Sequence, residues 1–329
     1  MEQKTKRKLY DYLPWVLILV VLGAVTLYSY YGESYNPFEK KFIKIDLLST
    51  MRIHLLEAIE AEKNAVLAIT DEASEDFAAQ ARQAANGVES NRKEIESIIH
   101  QEKFPRETEM INEFNSCWSQ YRKLDETILD LAIQNTNLKA QKISATQCAQ
   151  ELEYFEESLN RLIHRNTHGS QCNEAVMLSY EALTASLKVF ALHKPHIEEA
   201  DDQEMDKIEQ SIKSYDESAR KALGSLRSIA DPSDSEALNN AATAYERFMD
   251  LTGEVLKLSR MNTNIKSADL SLGKLRLISS QCQEILANLQ ETVQAQGNYS
   301  LPPLKKKRRF NNYGSAVQSD HIGVALSGH

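Results

Sequence analysis

A long segment of this chain occurs twice, and this internal repeat limits the folds that the chain can adopt. The segment WSQYRKLDETILDLAIQNTNLKAQKIS begins at Trp118 and matches YERFMDLTGEVLKLSRMNTNIKSADLS, which begins at Tyr245, so that each position n corresponds to position n + 127. Matched positions recur every three or four residues, which predicts a helical seam that faces a partner helix. The aligned pairs are Tyr121 with Phe248, Leu124 with Leu251, Ile128 with Val255, Leu131 with Leu258, Asn135 with Asn262 and Leu138 with Ile265.

Further matches extend the repeat in both directions. Pro105 aligns with Pro232, and each is predicted at a helix start, where the missing N–H costs nothing. A looser match, of position n with position n + 131, pairs Ile59, Lys63, Val66 and Asp71 with Phe190, Lys194, Ile197 and Asp202. Each repeat therefore consists of two short helices followed by a long one. We predict helices over 38–70, 73–102 and 106–167, and then over 172–200, 203–228 and 233–297.

The predicted fold class is all-α, because 11 Gly and 7 Pro in 329 residues favour long helices over a β-sandwich or an α/β sheet. Each long helix would span roughly 90 Å, so helices of half that length cannot cover it from one end. We therefore predict a six-helix up-and-down bimodular rod, in which two stacked four-helix bundles share the two long helices. The proximal bundle would hold about 38–137 and 264–297, and the distal bundle about 138–263, with the two Asn-Thr-Asn triplets at their meeting point.

An uncharged run from Leu13 to Gly32 predicts a transmembrane helix, because about 20 residues span the hydrocarbon core. A cluster of four basic residues precedes it, so residues 1–12 are expected in the cytoplasm and the chain from Glu33 onward outside it. A cleaved signal peptide is the alternative, although no A-x-A site follows the run. Residues 298–329, with KKKRR at 305–309, are expected to form a disordered basic tail or the abrupt end of a truncated gene, without a second membrane helix.

The charge and the motif content exclude several classes of function. A net charge of -9 with a pI near 5.5 disfavours nucleic-acid binding, which needs a basic face. No His or Cys spacing suits a metal site, and no nucleophile, base and orienting group share one helix face. We therefore predict no catalytic residue, no metal and no cofactor, and do not expect an enzyme.

The segment LLSTMRIHLLEAIEAEKNAVLAITDEASEDF, in which Glu62-Lys63 precede an apolar stretch and an acidic turn, resembles the first hairpin of the four-helix-bundle sensor domains of methyl-accepting chemotaxis receptors. The LA-x-x-NTN and LS-x-x-NTN segments are similar to their later helices, and the doubled layout resembles their helical bimodular variant. This resemblance covers about 40–297. It implies a periplasmic sensor at the bacterial inner membrane that forms homodimers along its first helices and binds small ligands, often organic acids, through inward-pointing arginines.

One candidate ligand site lies in the proximal bundle. Arg52 and Glu62 interrupt the apolar seam of the first helix at positions expected to point inward, where a charge needs a partner or a ligand. A guanidinium matches a carboxylate as a planar fork. The candidate carboxylate pocket consists of Arg52, Arg276 and Ser279, with Trp118 as a wall. The alternative is that both arginines pair with neighbouring carboxylates or reach solvent. The interrupted seam is Ile45, Leu48, Leu55, Ile59, Val66 and Ile69.

A second candidate anion site lies in the distal bundle. It consists of Lys188, His193 and Lys194, with His196 beside them and His164 opposite. The alternative is that histidines at an exposed tip are simply solvated.

Two cysteines are expected at one height in the proximal bundle. Cys117 lies as far before Thr136 as Cys282 lies after Thr263, on helices that run antiparallel. In an oxidising compartment they would form a disulfide or stay neighbouring thiols, and two separate buried cysteines are the alternative. Cys148 and Cys172 lie at different heights and should not pair.

Two functional hypotheses follow. In the first, the chain is the ligand-sensing half of a chemoreceptor, truncated or stand-alone, that binds a small metabolite. In the second, it is an anchored helical scaffold that docks another periplasmic protein or a full-length receptor.

Overall fold

A computed structural model describes residues 20–22, 37–165 and 172–296 of the chain, and every regular element in these ranges is helical. The predicted all-α helical rod is confirmed. Its helices are α1 (Pro37–Leu67), α2 (Asp71–Glu102), α3 (Pro105–Ala132), α4 (Thr136–Ile143), α5 (Ala149–Arg165), α6 (Cys172–Glu198), α7 (Asp202–Ile229), α8 (Ser235–Met261), α9 (Thr263–Leu270) and α10 (Arg276–Ala295). Two π-helical segments, Ser144–Cys148 and Ser271–Leu275, join α4 to α5 and α9 to α10.

Local sequence explains where the short helices begin and end. The Thr70 hydroxyl accepts a hydrogen bond from the Ala73 N–H at 3.1 Å and caps α2. Lys103 ends α2 in the left-handed conformation, with φ 59°, and Pro105 begins α3. The Asp201 carboxylate caps α7 in the same way as Thr70 caps α2. These boundaries lie close to the predicted ones, although α1 ends at Leu67 rather than at residue 70.

The prediction of two uninterrupted long helices is wrong. Each is broken at the first asparagine of its Asn-Thr-Asn triplet, where Asn135 and Asn262 adopt the left-handed conformation with φ of 50° and 56°. Asparagine tolerates this conformation better than most residues because its short polar side chain bonds locally. Both breaks, and both π-helical segments, recur at the spacing of the sequence repeat. Apolar residues keep their spacing of three or four positions through each break, so this spacing alone does not predict the break.

The two triplets bond to each other with near two-fold symmetry. The Thr136 N–H donates to Thr263 Oγ1 at 3.2 Å, and the Thr263 N–H donates to Thr136 Oγ1 at the same distance. Asn137 Nδ2 donates to Asn262 Oδ1 at 2.7 Å, and Asn264 Nδ2 donates to Asn135 Oδ1 at 2.9 Å. The two bonds from the threonine N–H groups satisfy backbone donors that the first turns of α4 and α9 leave unpaired. The junction therefore replaces the expected continuous helices with a polar joint.

Two large apolar cores lie in the rod, one for each four-helix bundle. In the proximal bundle, α10 packs against α1 and α3, and α1 packs against α2. In the distal bundle, α5 packs against α6 and α8, and α6 packs against α7. The proximal core includes Leu48, Met51, Leu55, Ile95, Ile111, Phe114, Ile128 and Leu286, and the distal core includes Phe155, Leu159, Val189, Tyr245, Phe248 and Val255. Burying each such side chain contributes about 1.5–3 kcal/mol.

The predicted membrane helix at 13–32 lies outside the described residues except for 20–22, and the tail at 298–329 lies wholly outside them. Within the described residues, one segment, Glu174–Glu198, is long and apolar enough to cross a membrane by length and composition alone. It coincides with α6, whose buried His193 and His196 bond to side chains of other bundle helices. Of the apolar side chains of α6, Val189 is buried in the distal core, whereas Met177, Tyr180 and Leu187 are exposed.

Candidate ligand-sensing site

Arg52 and Arg276 do not point into the proximal core. Arg52 is exposed, and its Nη1 donates to Gln290 Oε1 at 2.7 Å. Arg276 is also exposed, and its Nε donates to the Leu272 carbonyl at 3.1 Å. The expectation that Arg52 faces inward is wrong because the neighbouring Met51 takes the buried position, one residue and about 100° around the helix from it. Ile69, at the end of the predicted seam, is also exposed.

Ser279 and Trp118 are buried, as the candidate pocket required, but their polar groups are already bonded. The Ser279 hydroxyl donates to the Arg276 carbonyl at 2.9 Å. Trp118 Nε1 donates to Glu89 Oε2 at 3.0 Å, and hydrogen bonds from Arg92 and Trp118 lower the pKa of Glu89 to about 2. Among the described residues, no hydrogen bond, ion pair or ring contact joins the side chains of Arg52, Arg276 and Trp118.

The distal candidates are also separated. Lys188 is exposed and lies over the Tyr215 ring, 5.1 Å from its centroid, while Lys194 is exposed beside Glu198. His193 instead points into the core, so the three do not form one anion site. The alternative of a solvated tip also fails for His193 and for His196, because both are buried. His164 is exposed.

His193 lies at the centre of a complete hydrogen-bond network. Its Nδ1 is 2.9 Å from Ser144 Oγ, and its Nε2 is 3.1 Å from Thr252 Oγ1. The Thr252 hydroxyl donates to the Phe248 carbonyl, so it accepts from Nε2–H, and Ser144 donates to Nδ1. Burial lowers the pKa of His193 to about 4, and the nearby His196 adds to this shift. The imidazole is therefore neutral at pH 7 and needs no further partner.

Cys117 and Cys282 are joined by a disulfide that links α3 to α10, with their Cα atoms 5.8 Å apart. This is one of the three arrangements that the sequence left open. Cys148 is buried and free, and burial raises the pKa of its thiol to about 12. The side chain of Cys172 lies outside the described residues.

The structure brings together a second polar group, which contains no arginine and which the sequence did not predict. Glu62 on α1 and Asp125 on α3 are 1 % and 0 % exposed in the proximal core, next to the fully buried Tyr121. Burial raises the pKa of Asp125 to about 7, and the charge of Glu62 adds to this shift. Burial also raises the pKa of Glu62, while the Ser271 hydroxyl partly offsets it. We call these four residues the acidic layer.

The acidic layer and the His193 network occupy equivalent positions in the two repeats. The closer match, of n with n + 127, relates Ser144 to Ser271, Asp125 to Thr252 and Tyr121 to Phe248, and the looser match, of n with n + 131, relates Glu62 to His193. In both layers a π-helical segment begins at the serine. Such segments often occur at functional sites. Glu62 is recognisable in the sequence as a charge on an apolar seam, whereas no local pattern marks Asp125.

The comparisons with known proteins agree with this fold. A family model described as a four helix bundle sensory module for signal transduction matches residues 8–174. The chain belongs to this family of sensory modules. The expected resemblance to the sensor domains of methyl-accepting chemotaxis receptors is thus confirmed. A comparison with curated proteins gives no match. The family serves signal transduction rather than catalysis.

The sensory module also has two surface grooves at repeat-equivalent places. One lies between α1 and α2, has a volume of about 480 Å³, and is lined by His54, Glu57, Ala84 and Gly87 among others. Gly87 leaves room for the His54 ring, since a Cβ there would lie 2.8 Å from His54 Cδ2. The other lies between α6 and α7, has a volume of about 440 Å³, and is lined by Tyr180, Glu181, Lys188, Tyr215 and Ser218 among others.

Proposed function

We propose that this chain is the extracytoplasmic, ligand-sensing module of a chemotaxis receptor and that it binds a small metabolite. Membership of the sensory-module family carries the proposal, because it makes the chain a signal-transduction sensor. We further propose that residues 13–32 anchor it in the bacterial inner membrane, with the N-terminus in the cytoplasm and the bundles in the periplasm. The uncharged run supports the membrane anchor, and the basic cluster before the run supports that orientation.

We place the carboxylate ligand of this proposal in the groove between α6 and α7. Lys188 supplies a positive charge there, and the Tyr180 and Tyr215 rings supply apolar walls. Concave sites with a few polar groups on apolar walls are typical of small-molecule binding. Arg52 and Arg276 line neither of the two surface grooves.

A thermal-shift panel of organic acids, amino acids and amines tests this function on the full-length protein in detergent. We expect one acid to stabilise the protein and Lys188→Ala to abolish the stabilisation. Lys194→Ala is the matched control, because Lys194 is an exposed lysine of the same helix that does not line the groove. If Arg52→Ala removed the stabilisation and Lys188→Ala did not, the ligand site would lie in the proximal bundle instead. If no compound in the panel stabilised the protein, this result would contradict the sensing proposal and favour the scaffold hypothesis.

We also propose that the module forms a homodimer along α1. Ile53 and Leu56 support this partner, because they are about half exposed on the side of α1 opposite Met51 and Leu55. Sedimentation of the full-length protein should show a dimer, and Ile53→Glu should shift it toward monomer. A monomeric wild type would favour a surface that docks a different protein.

A further inference from the structure

The acidic layer contains buried oxygens that lack the hydrogen bonds which such atoms normally have. Within the described ranges, no hydrogen bond of ordinary geometry reaches Glu62 Oε1, either carboxylate oxygen of Asp125 or the Tyr121 hydroxyl, although the Tyr121 hydroxyl faces Asp125. The three residues are at most 1 % exposed. Buried polar atoms are almost always paired, because an unpaired one keeps its full cost of desolvation. Two ionised carboxylates in this environment would also repel each other.

The His193 network, which we call the distal layer because it is the distal counterpart of the acidic layer, shows that this arrangement of helices does not itself require unpaired groups. There the neutral His193 bridges the hydroxyls of Ser144 and Thr252, and both ring nitrogens are satisfied. At the equivalent proximal places, carboxyl groups replace the imidazole and the threonine hydroxyl. Carboxylates accept hydrogen bonds and donate none, so the two carboxyl groups share only the hydroxyl donors of Tyr121 and Ser271.

Neighbouring cations do not supply a further donor. The charged groups that face the pair are Lys63 on α1, Arg82 on α2, and Arg122 and Glu126 on α3, while Ser271 faces it from the π-helical segment. Arg82 is paired with Glu126 and Asp130, at 2.9 and 2.8 Å. Arg122 lies over the Trp118 ring and its Nη2 donates to Asn86 Oδ1 at 3.5 Å, while its buried Nη1 reaches neither carboxyl group within hydrogen-bond distance. No ion pair joins Glu62 or Asp125 to a cation in the described part of the chain.

We propose that Glu62 and Asp125 hold one proton between them, so that the sensory module responds to pH as well as to a metabolite. The proton stays on one carboxyl group and is donated in a hydrogen bond to the other, which removes the repulsion and gives a buried oxygen its missing partner. A proton is the ligand that fits a closed core, because it needs no cavity. Its loss leaves two buried negative charges between α1 and α3. This inference rests on the proposed function, to which it adds a second stimulus.

The sign of the effect follows from proton linkage. The folded state keeps the proton up to about pH 7, whereas an unfolded aspartate releases it near its ordinary pKa of about 4. Between these values the folded state binds more protons, so this site loses stability as pH rises. One proton changes the unfolding equilibrium constant up to tenfold per pH unit.

The test compares the full-length wild type with Asp125→Asn and with Glu113→Gln, a control at an exposed acid of the same helix. We expect the ratio of the wild-type unfolding constant to that of Asp125→Asn to rise up to tenfold per pH unit between about pH 5 and 7. Glu113→Gln should follow the wild type. A constant ratio for Asp125→Asn would overturn the proposal.

Infrared spectroscopy of the wild type tests the proposal even if Asp125→Asn does not fold. The wild type at about pH 6 should show the carbonyl band of a protonated carboxylic acid that disappears above about pH 8, since both values lie outside the ordinary range of carboxyl titration. Absence of the band would overturn the proposal. Stabilisation at about pH 8 by ammonium or sodium would also overturn it and assign a metal or ammonium cation to the layer. The metabolite panel is run separately at fixed pH, so failure of either proposal is distinguishable from failure of the other.

Discussion

The disulfide between Cys117 and Cys282 allows a quantitative prediction about the proximal bundle. It joins α3 to α10 across a sequence separation of 165 residues. Cross-linking so long a loop restricts the unfolded chain, and the chain-entropy relation gives about 5 kcal/mol for this length at room temperature. Measured disulfides typically contribute about 2–4 kcal/mol, because the unfolded chain is not a random coil. We therefore expect reduction to lower the free energy of unfolding by at least about 2 kcal/mol.

Guanidinium unfolding of the full-length protein, with and without reductant, measures this loss. Trp118 is buried beside Cys117, so its fluorescence follows the proximal core. The double variant Cys117→Ser, Cys282→Ser should unfold at a lower denaturant concentration than the oxidised wild type and should not respond to reductant. Equal unfolding curves for the oxidised and reduced wild type would refute the reasoning, as would peptide mapping that finds both thiols free in the oxidised protein.

Three other substitutions test the fold and the sites. Asn135→Val should destabilise the protein by about 1–2 kcal/mol more than Asn135→Gly, because both lose the hydrogen bond from Asn264 and only valine also resists the left-handed conformation; equal melting temperatures for the two would contradict this. His193 has a lowered pKa in the folded state, so the unfolded state binds more protons below about pH 6.5. The wild type should therefore lose up to about 3 kcal/mol between about pH 6.5 and 4 relative to His193→Gln, and parallel pH profiles would argue against this. Arg52→Ala should change stability by less than about 0.5 kcal/mol in chemical denaturation, since Arg52 is exposed, and a larger loss would show that its bond to Gln290 matters.

Orientation around a helix limited what the sequence revealed about the site. Neighbouring positions on a helix differ by about 100°, so an error of one position in assigning the apolar seam places Arg52 in the core instead of on the surface. The same apolar seam passed through Asn135 without interruption, which concealed the break there. Glu62 was correctly placed on the buried face, but nothing in its own segment indicated that Asp125 would meet it.

The repeat, the scarcity of glycine and proline and the apolar periods were enough to determine the all-α class and the doubled plan, because these properties are local and recur along the chain. The boundaries at Thr70, Pro105 and Asp201 were also local, since each depends on capping within one turn. Only the tertiary structure decided which side chains share the acidic layer and which bonds join the two triplets. Those contacts connect residues far apart in the sequence, and their distances depend on how helices rotate against one another during packing.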